Sequence, residues 1–245
     1  MSAFILSSEY KKWVQEAAQR AGLSLFPQQE EKLLSFIAHL LEKNRVMDLT
    51  NITEAEDLGL KHLLDSWLLL PIIDKKESGL SLADVGSGPG FPALPLKIAR
   101  PQLEVLMLDS QKKRVDFLTE TIKKLELTGI QAIWMRAEEA GRDSRYRDSF
   151  DIVTARAVAA LPRLVELCLP LVRPGGVFLA MKGLADEETD SAKSAISQLS
   201  GRLIDIHRYV LPGTNMKRSL LVIEKTSPTR EAFPRPFTKI KKNPL

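Results

Sequence analysis

The stretch LADVGSGPGFPALPLKIA (residues 82–99) carries the first residues with a chemical purpose. An apolar run reaches Asp84, passes Gly86, Gly88 and Gly90, and resumes as apolar residues at helical spacing. That is a strand turning tightly into a helix so that a ligand can approach bare backbone. A dinucleotide fingerprint G-x-G-x-x-G needs glycine at position 91, where Phe91 stands. A phosphate-binding P-loop needs G-K-[ST], which follows none of the three glycines. Pro89 and Pro92 also remove amide donors from the turn. The loop is therefore shaped for a nucleoside without phosphates.

Asp109 closes the run VLMLDS, where an acid is placed to accept bonds from both ribose hydroxyls. In RAEEA, a backbone amide and an acid at Ala137 and Glu138 can frame an adenine edge. S-adenosylmethionine meets these demands, with a ribose, an adenine and a cationic sulfonium amino acid.

These residues need a scaffold, and the pattern supplies one. Before position 80 the chain reads as helices: one from Ser7 or Ser8 to Gly22, and one after Pro27 with Leu33, Leu34, Ile37, Leu40 and Leu41 on its buried face. A third runs from about Leu58 to Leu70, and KKESG (75–79) reads as a connector. Beyond it LSLADV, VLMLD, IQAIWM, FDIVTA and GVFLAM alternate with helical stretches over about Gln111–Leu127, Leu161–Val172 and Asp186–Leu199. Strands near Ile204–Val210 and Leu220–Glu224 end the series with no helix between them. The expected fold is α/β, a Rossmann-like, mostly parallel sheet with an antiparallel edge, preceded by a helical segment. The expected organisation is a helical segment at 1–78, a cofactor-binding domain at 79–225 and a basic tail at 226–245.

Composition narrows the function classes. The chain has 245 residues and a formal net charge of +4. The tail alone, with Arg230, Arg235, Lys239, Lys241 and Lys242 against Glu231, has a net charge of +4, so the body is neutral. A basic tail on a neutral body points to a polyanionic partner. WLLLPII is the longest apolar stretch, far short of the roughly 18 residues of a membrane span. No basic region precedes the apolar patch at the start, so no secretory signal is expected and a cytoplasmic location is. One cysteine, Cys168, and three scattered histidines, His39, His62 and His207, give no metal-ligand spacing.

The chain resembles the ribosomal RNA small-subunit methyltransferase G family, guanine-N7 methyltransferases formerly called glucose-inhibited division protein B. The resemblance rests on NRVMDLTNI (44–52), KHLLDS (61–66), DVGSGPGFPALPLKI (84–98), LDSQKKRVDFL (108–118), RAEE (136–139), TARAVAAL (154–161), MKG (181–183) and the tail FPRPFTKIKKNPL. It implies a class I methyltransferase fold, S-adenosylmethionine as cofactor and 16S ribosomal RNA, within the small subunit, as substrate. Implied cofactor contacts are Gly86, Phe91, Asp109, Ser110, Gln111, Ala137, Glu138 and Arg156. Asp48 replaces the family's usual asparagine, and Thr238 and Ile240 stand where glycine and proline are usual; all three lie outside the cofactor set.

The residues agree with N7 chemistry. No [DN]-P-P-[YF] motif for amino-group methylation follows the fourth strand, and Cys168 sits on an apolar helix face, unsuited to the nucleophile that carbon methylation needs. Guanine N7 has an available lone pair and loses no proton, so positioning and desolvation suffice. No catalytic residue is assigned. Arg156 has two readings: a salt bridge to an acid such as Glu138, or orientation of cofactor or phosphate. Lys182, Arg218 and Arg235 are the expected RNA contacts, with Lys217 beside them. His62 reads as a polar anchor between the helical segment and the sheet, and His39 as a partly buried residue. The tail is expected to grip RNA phosphates and to leave cofactor affinity unchanged. Two other functions fit the same residues: methylation of another RNA or a protein, and a non-catalytic assembly factor that retains a cofactor pocket.

Overall fold

The computed structural model describes residues 6–75 and 79–245; the expected connector at 75–79 lies largely outside them. Helix α1 (Ser8–Arg20) leads to α2 (Pro27–Met47), whose proline at the first turn costs no hydrogen bond. Leu33, Phe36, Ile37 and Leu40 form the buried stripe of α2. Helix α3 (Ala55–Asp57) runs through a π-helical turn (Leu58–Leu64) into α4 (Asp65–Trp67), followed by α5 (Leu70–Ile73). The sequence pattern predicted one ordinary helix here. The wider π turn buries Leu58, Leu60, Leu63 and Leu64 together with His62, a combination that π segments often make near functional sites. Gly59 lets α1 approach, since a Cβ there would lie 2.8 Å from the Trp13 carbonyl oxygen.

The sheet begins with β1 (Ser81–Val85), α6 (Ala93–Ala99), β2 (Glu104–Asp109), α7 (Lys112–Lys124) and β3 (Ile130–Trp134). It continues with α8 (Ala137–Ala140), β4 (Phe150–Arg156), α9 (Leu161–Cys168), β5 (Val172–Lys182) and α10 (Asp186–Gln198). β6 (Gly201–Val210), β7 (Lys217–Lys225) and the short tail helix α11 (Phe237–Lys242) complete the chain. Helix α9 ends sooner than expected, in a 3-10 turn over Leu169–Leu171 that contains Pro170.

Strand order is β3-β2-β1-β4-β5-β7-β6. The first five strands pair in parallel, and β7 is antiparallel to both neighbours. The antiparallel strand is thus one place in from the edge. The turn after β6 folds β7 back into the slot beside β5, so β6 becomes the border. The order reverses between β1 and β4, and there the carboxyl ends of the strands open a crevice.

Alternation along the strands feeds two cores. Leu82, Val105, Met107 and Ile152 point to α1, α2, α6 and α7; Ala83, Leu106, Val153 and Phe178 point to α9 and α10. The N-terminal helices therefore share one core with a face of the sheet. Trp67 Nε1 donates to the Pro95 carbonyl oxygen at 3.1 Å, and Gln29 Nε2 donates to that of Ile98 at 2.9 Å, covering the end of α6.

The segment after β7 is docked. Arg142 Nε donates to the Pro234 carbonyl oxygen at 2.8 Å, and Arg147 reaches those of Phe233 and Thr229 at 2.8 and 2.6 Å. Lys225, fully buried, bonds Asp148 at 2.8 Å, and burial lowers its pKa. Ile240 fills the second core. Among the described residues, no helix is long and apolar enough to cross a membrane.

Candidate active site

The glycine loop leaves β1 toward the crevice. Its amides are already used: Gly86 and Ser87 donate to the Leu108 carbonyl oxygen at 2.8 and 3.1 Å, and Gly90 donates to that of Ser87 at 2.8 Å. Gly88 donates to Asp109 Oδ2 at 2.9 Å. These four amides are therefore not aimed at an anion, as a phosphate cradle requires. Gly86 has φ +71°, and a Cβ there would come within 2.6 Å of Val158 Cγ2. Gly90, at φ +101°, lets α6 and α7 close, since its Cβ would meet Leu94 Cδ1 at 2.4 Å.

A cleft of about 300 Å³ lies beside this loop. Gly86, Asp109, Ser110, Ala137 and Glu138 line it, with Val85, Leu108 and Val158 as apolar wall. Asp109 is nearly inaccessible, and its carboxylate also accepts from the Gln111 amide at 2.8 Å. A carboxylate has about four acceptor positions; the Gly88 and Gln111 amides take two, and Arg114 Nη1 lies 3.6 Å from Oδ2, so at most two are left for a ligand. Glu138 is held by Arg136 Nε at 2.5 Å. A backbone floor without free loop amides, apolar walls and two carboxylates suit a nucleoside with free hydroxyls and an amino edge, and Arg136, Arg163 and Lys241 complete the lining. This donor set fits S-adenosylmethionine. Beneath the loop, Asp84 is fully buried; it accepts from Thr154 at 2.8 Å, its Oδ2 has no partner, and burial raises its pKa to about 7.

A second cleft, about 350 Å³, adjoins the first through the loop after β4: Arg156 and Ala157 line one, Val158 and Ala159 the other. Arg156 is pinned there. It donates to the Lys61 carbonyl oxygen at 3.0 Å, to Asp65 Oδ2 at 3.3 Å and to His62 Nδ1 at 2.9 Å. Burial depresses its pKa, opposed by Asp65. His62 stacks on Phe91 with centroids 4.2 Å apart; burial and the Arg156 charge push its pKa down to about 3. Asp65, also buried, lies 3.4 Å from Tyr209 Oη and 3.7 Å from Arg218 Nε, and burial raises the pKa of Tyr209 strongly. Lys182 bonds the Ala159 carbonyl oxygen at 3.0 Å and Glu188 at 2.7 Å, on the rim.

The structure brings Gly86, Asp109, Ser110, Ala137 and Glu138 into one cleft. Gln111 stands just outside it, as the residue preceding α7, with its amide on Asp109. Phe91 is 3% exposed and lies between Phe36, His62 and Arg156. Arg156 lines the second cleft, and its carboxylate partner is Asp65, not Glu138. Lys182 and Arg218 line that cleft too.

Arg235 needs correction as an RNA contact. Its guanidinium forks onto Glu166 at 2.6 and 2.8 Å, and Glu166 is completely buried, so this charge, though 22% exposed, has a structural duty as the partner of an interior acid. The tail as a whole was expected to stand apart from the cofactor site, yet Phe237 and Lys241 line the first cleft. His62 does link the helical segment to β4. His39 is more deeply placed than its sequence position suggested, stacked on Phe117. Asp65 and Tyr209 escaped the sequence reading; KHLLDS held the signal for the first, and nothing local marked the second. Cys168 lies fully buried, which raises its pKa well above that of a free thiol. Among the described residues, no three histidine, cysteine or carboxylate side chains are grouped as metal ligands.

The chain matches the model of the family described as GidB, rRNA small subunit methyltransferase G, over residues 29–213. A ribosomal RNA small subunit methyltransferase G from Acetivibrio thermocellus is 44% identical over 235 residues, covering 96% of each chain. One from Lacticaseibacillus paracasei is 46% identical over 217 residues, 87% of this chain and 89% of its own. Among solved structures, a ribosomal protein L11 methylase from Lactobacillus delbrueckii subsp. bulgaricus aligns with a TM-score of 0.51 at 18% identity, over 68% of this chain and 79% of its own. That likeness speaks for the fold alone. Sequence identity of this degree over nearly the whole length settles descent as well, and the chain belongs to the rRNA small subunit methyltransferase G family.

Proposed function

We propose that this protein transfers the methyl group of S-adenosylmethionine to N7 of a guanine in 16S ribosomal RNA, acting on the small subunit in the cytoplasm. The observation that carries the reading is that consecutive residues of one loop, 156–159, line two unlike clefts. One suits a nucleoside without phosphates. The other is rimmed by Lys61, Arg156, Lys182 and Arg218, charges suited to an RNA backbone.

Bound in the first cleft, S-adenosylmethionine supplies an electrophilic methyl group on a sulfonium. The chain's own part is to hold the ribose with the free acceptor positions of Asp109 and the purine edge with the segment Ala137–Glu138. Arg156 has three partners and so presents a fixed charge that needs no reordering when RNA arrives. It acts through charge and position; an arginine bonded to N7 would block the atom to be methylated. Neither His62 nor Cys168 offers the second cleft a base or a nucleophile. His62 is held neutral with Nδ1 engaged by Arg156, and the one cysteine is shut in the core. Guanine N7 requires no such group, whereas carbon methylation does.

The test is incubation with methyl-labelled S-adenosylmethionine and small subunits lacking the modification, then borohydride and aniline, which cleave RNA at N7-methylguanine. One new cut in labelled 16S RNA is expected. Label without a cut overturns N7 as the target atom. Absence of label with cofactor binding intact overturns the ribosomal RNA substrate.

A further inference from the structure

The tail helix contributes two residues to the nucleoside cleft. Phe237 opens α11 and Lys241 follows four positions later, on the same helical face, and both line the cleft with Asp109 and Glu138. This placement is anchored on both sides. Arg235 is bonded to buried Glu166 two residues before Phe237, and Ile240 is sealed in the core three residues after it. The Arg136 guanidinium lies 4.2 Å from the centre of the Phe237 ring while its Nε donates to Glu138. Ring, guanidinium and carboxylate thus form one connected wall.

Part of that wall is apolar and uncovered. Phe237 and Val158 are each 37% exposed, and both face the same cleft. Exposed aromatic area is unfavourable in water by roughly 25 cal/mol per Å², and a flat apolar ring system would cover it. Four loop amides are consumed internally, so the loop itself offers no phosphate cradle. A carboxylate beside the ring suits an exocyclic amino group.

We propose that Phe237 and Lys241 belong to the cofactor site, Phe237 packing on the purine ring of the bound nucleoside and Lys241 closing the outer edge of the cleft. This rests on the assignment of the first cleft to S-adenosylmethionine. It makes the basic tail a cofactor-binding element as well as a charged surface, contrary to the expectation that the two are independent.

Calorimetry with S-adenosylhomocysteine and with 5′-methylthioadenosine tests this on the full chain and its Phe237→Ala and Phe237→Tyr variants. Phe237→Ala is expected to weaken both ligands equally, about tenfold or 1.4 kcal/mol. Phe237→Tyr is expected to restore wild-type affinity, because the ring is kept. Unchanged affinity in Phe237→Ala overturns the proposal while leaving the cofactor assignment in place. A loss seen with S-adenosylhomocysteine alone puts Phe237 at the amino-acid end and also overturns it. Failure of Phe237→Tyr to restore binding shows that tail docking, not the ring, is responsible. If the wild-type protein binds neither ligand, the cofactor assignment itself falls.

Discussion

Arg156 Nη2 lies 2.9 Å from His62 Nδ1, and this bond fixes the imidazole's tautomer. A guanidinium can only donate, so Nδ1 is the acceptor and the ring proton sits on Nε2, facing Thr50 Oγ1 at 3.3 Å. The same ring stacks on Phe91 just beyond the glycine loop. One neutral histidine thereby joins the helical segment, the loop and the end of β4.

That neutrality has a pH signature. His62 is held down to about 3 in the fold and titrates near 6.5 when unfolded. Its contribution is fully present above about pH 6.5 and is lost as pH falls toward 3. Asp84, raised to about 7, gives the opposite slope, so the comparison must be between variants. His62→Gln is expected to flatten the acid arm of stability relative to wild type, by up to about 1.4 kcal/mol per pH unit. Urea denaturation between pH 4 and 7 measures it; parallel curves would mean that His62 is protonated in the fold.

Asp109 holds the loop through the Gly88 and Gln111 amides, and the proposed reading also gives it the ribose. Asp109→Ala is expected to weaken S-adenosylhomocysteine at least tenfold, about 1.4 kcal/mol. It is also expected to cost about 2 kcal/mol of stability, since the Gly88 and Gln111 amides lose their acceptor. Calorimetry and denaturation report the two effects separately. Stability loss without affinity loss would restrict Asp109 to shaping the loop.

Arg235 provides a contrast between a charge in the fold and a charge for RNA. Arg235→Ala leaves Glu166 buried without its partner, so a loss of about 3 kcal/mol or more is expected. The salt dependence of RNA binding is expected to stay as it is, because no phosphate contact is removed. A stable variant with a shallower salt slope would return Arg235 to the RNA surface.

Much of the scaffold was legible because its signals are local. Apolar alternation in LSLADV and VLMLD marks strands buried on both faces, and three glycines before an apolar helix mark a turn whatever surrounds it. Loss of amide donors at Pro89 and Pro92 already argued against phosphate, and the internal bonds of the remaining amides agree. Asp109 and the Ala137–Glu138 pair could be placed in one cleft because successive parallel strands end at the same edge.

What depended on distant chain segments meeting was decided only by the tertiary structure. Arg156 has an acid partner 91 residues away, Asp65 at the start of α4 just beyond the π turn, a pairing that no local spacing announces. β7 enters between β5 and β6, and the apparently free cation Arg235 is consumed by a glutamate from the interior of α9. Phe237 reaches the first cleft because Ile240 and Arg235 anchor its helix on either side. Periodicity and turn chemistry are properties of neighbouring residues, and by themselves they determined the strands and the loop. Which charges are spent inside the fold and which face a cleft is settled by burial and pairing, and those exist only once the chain has closed on itself.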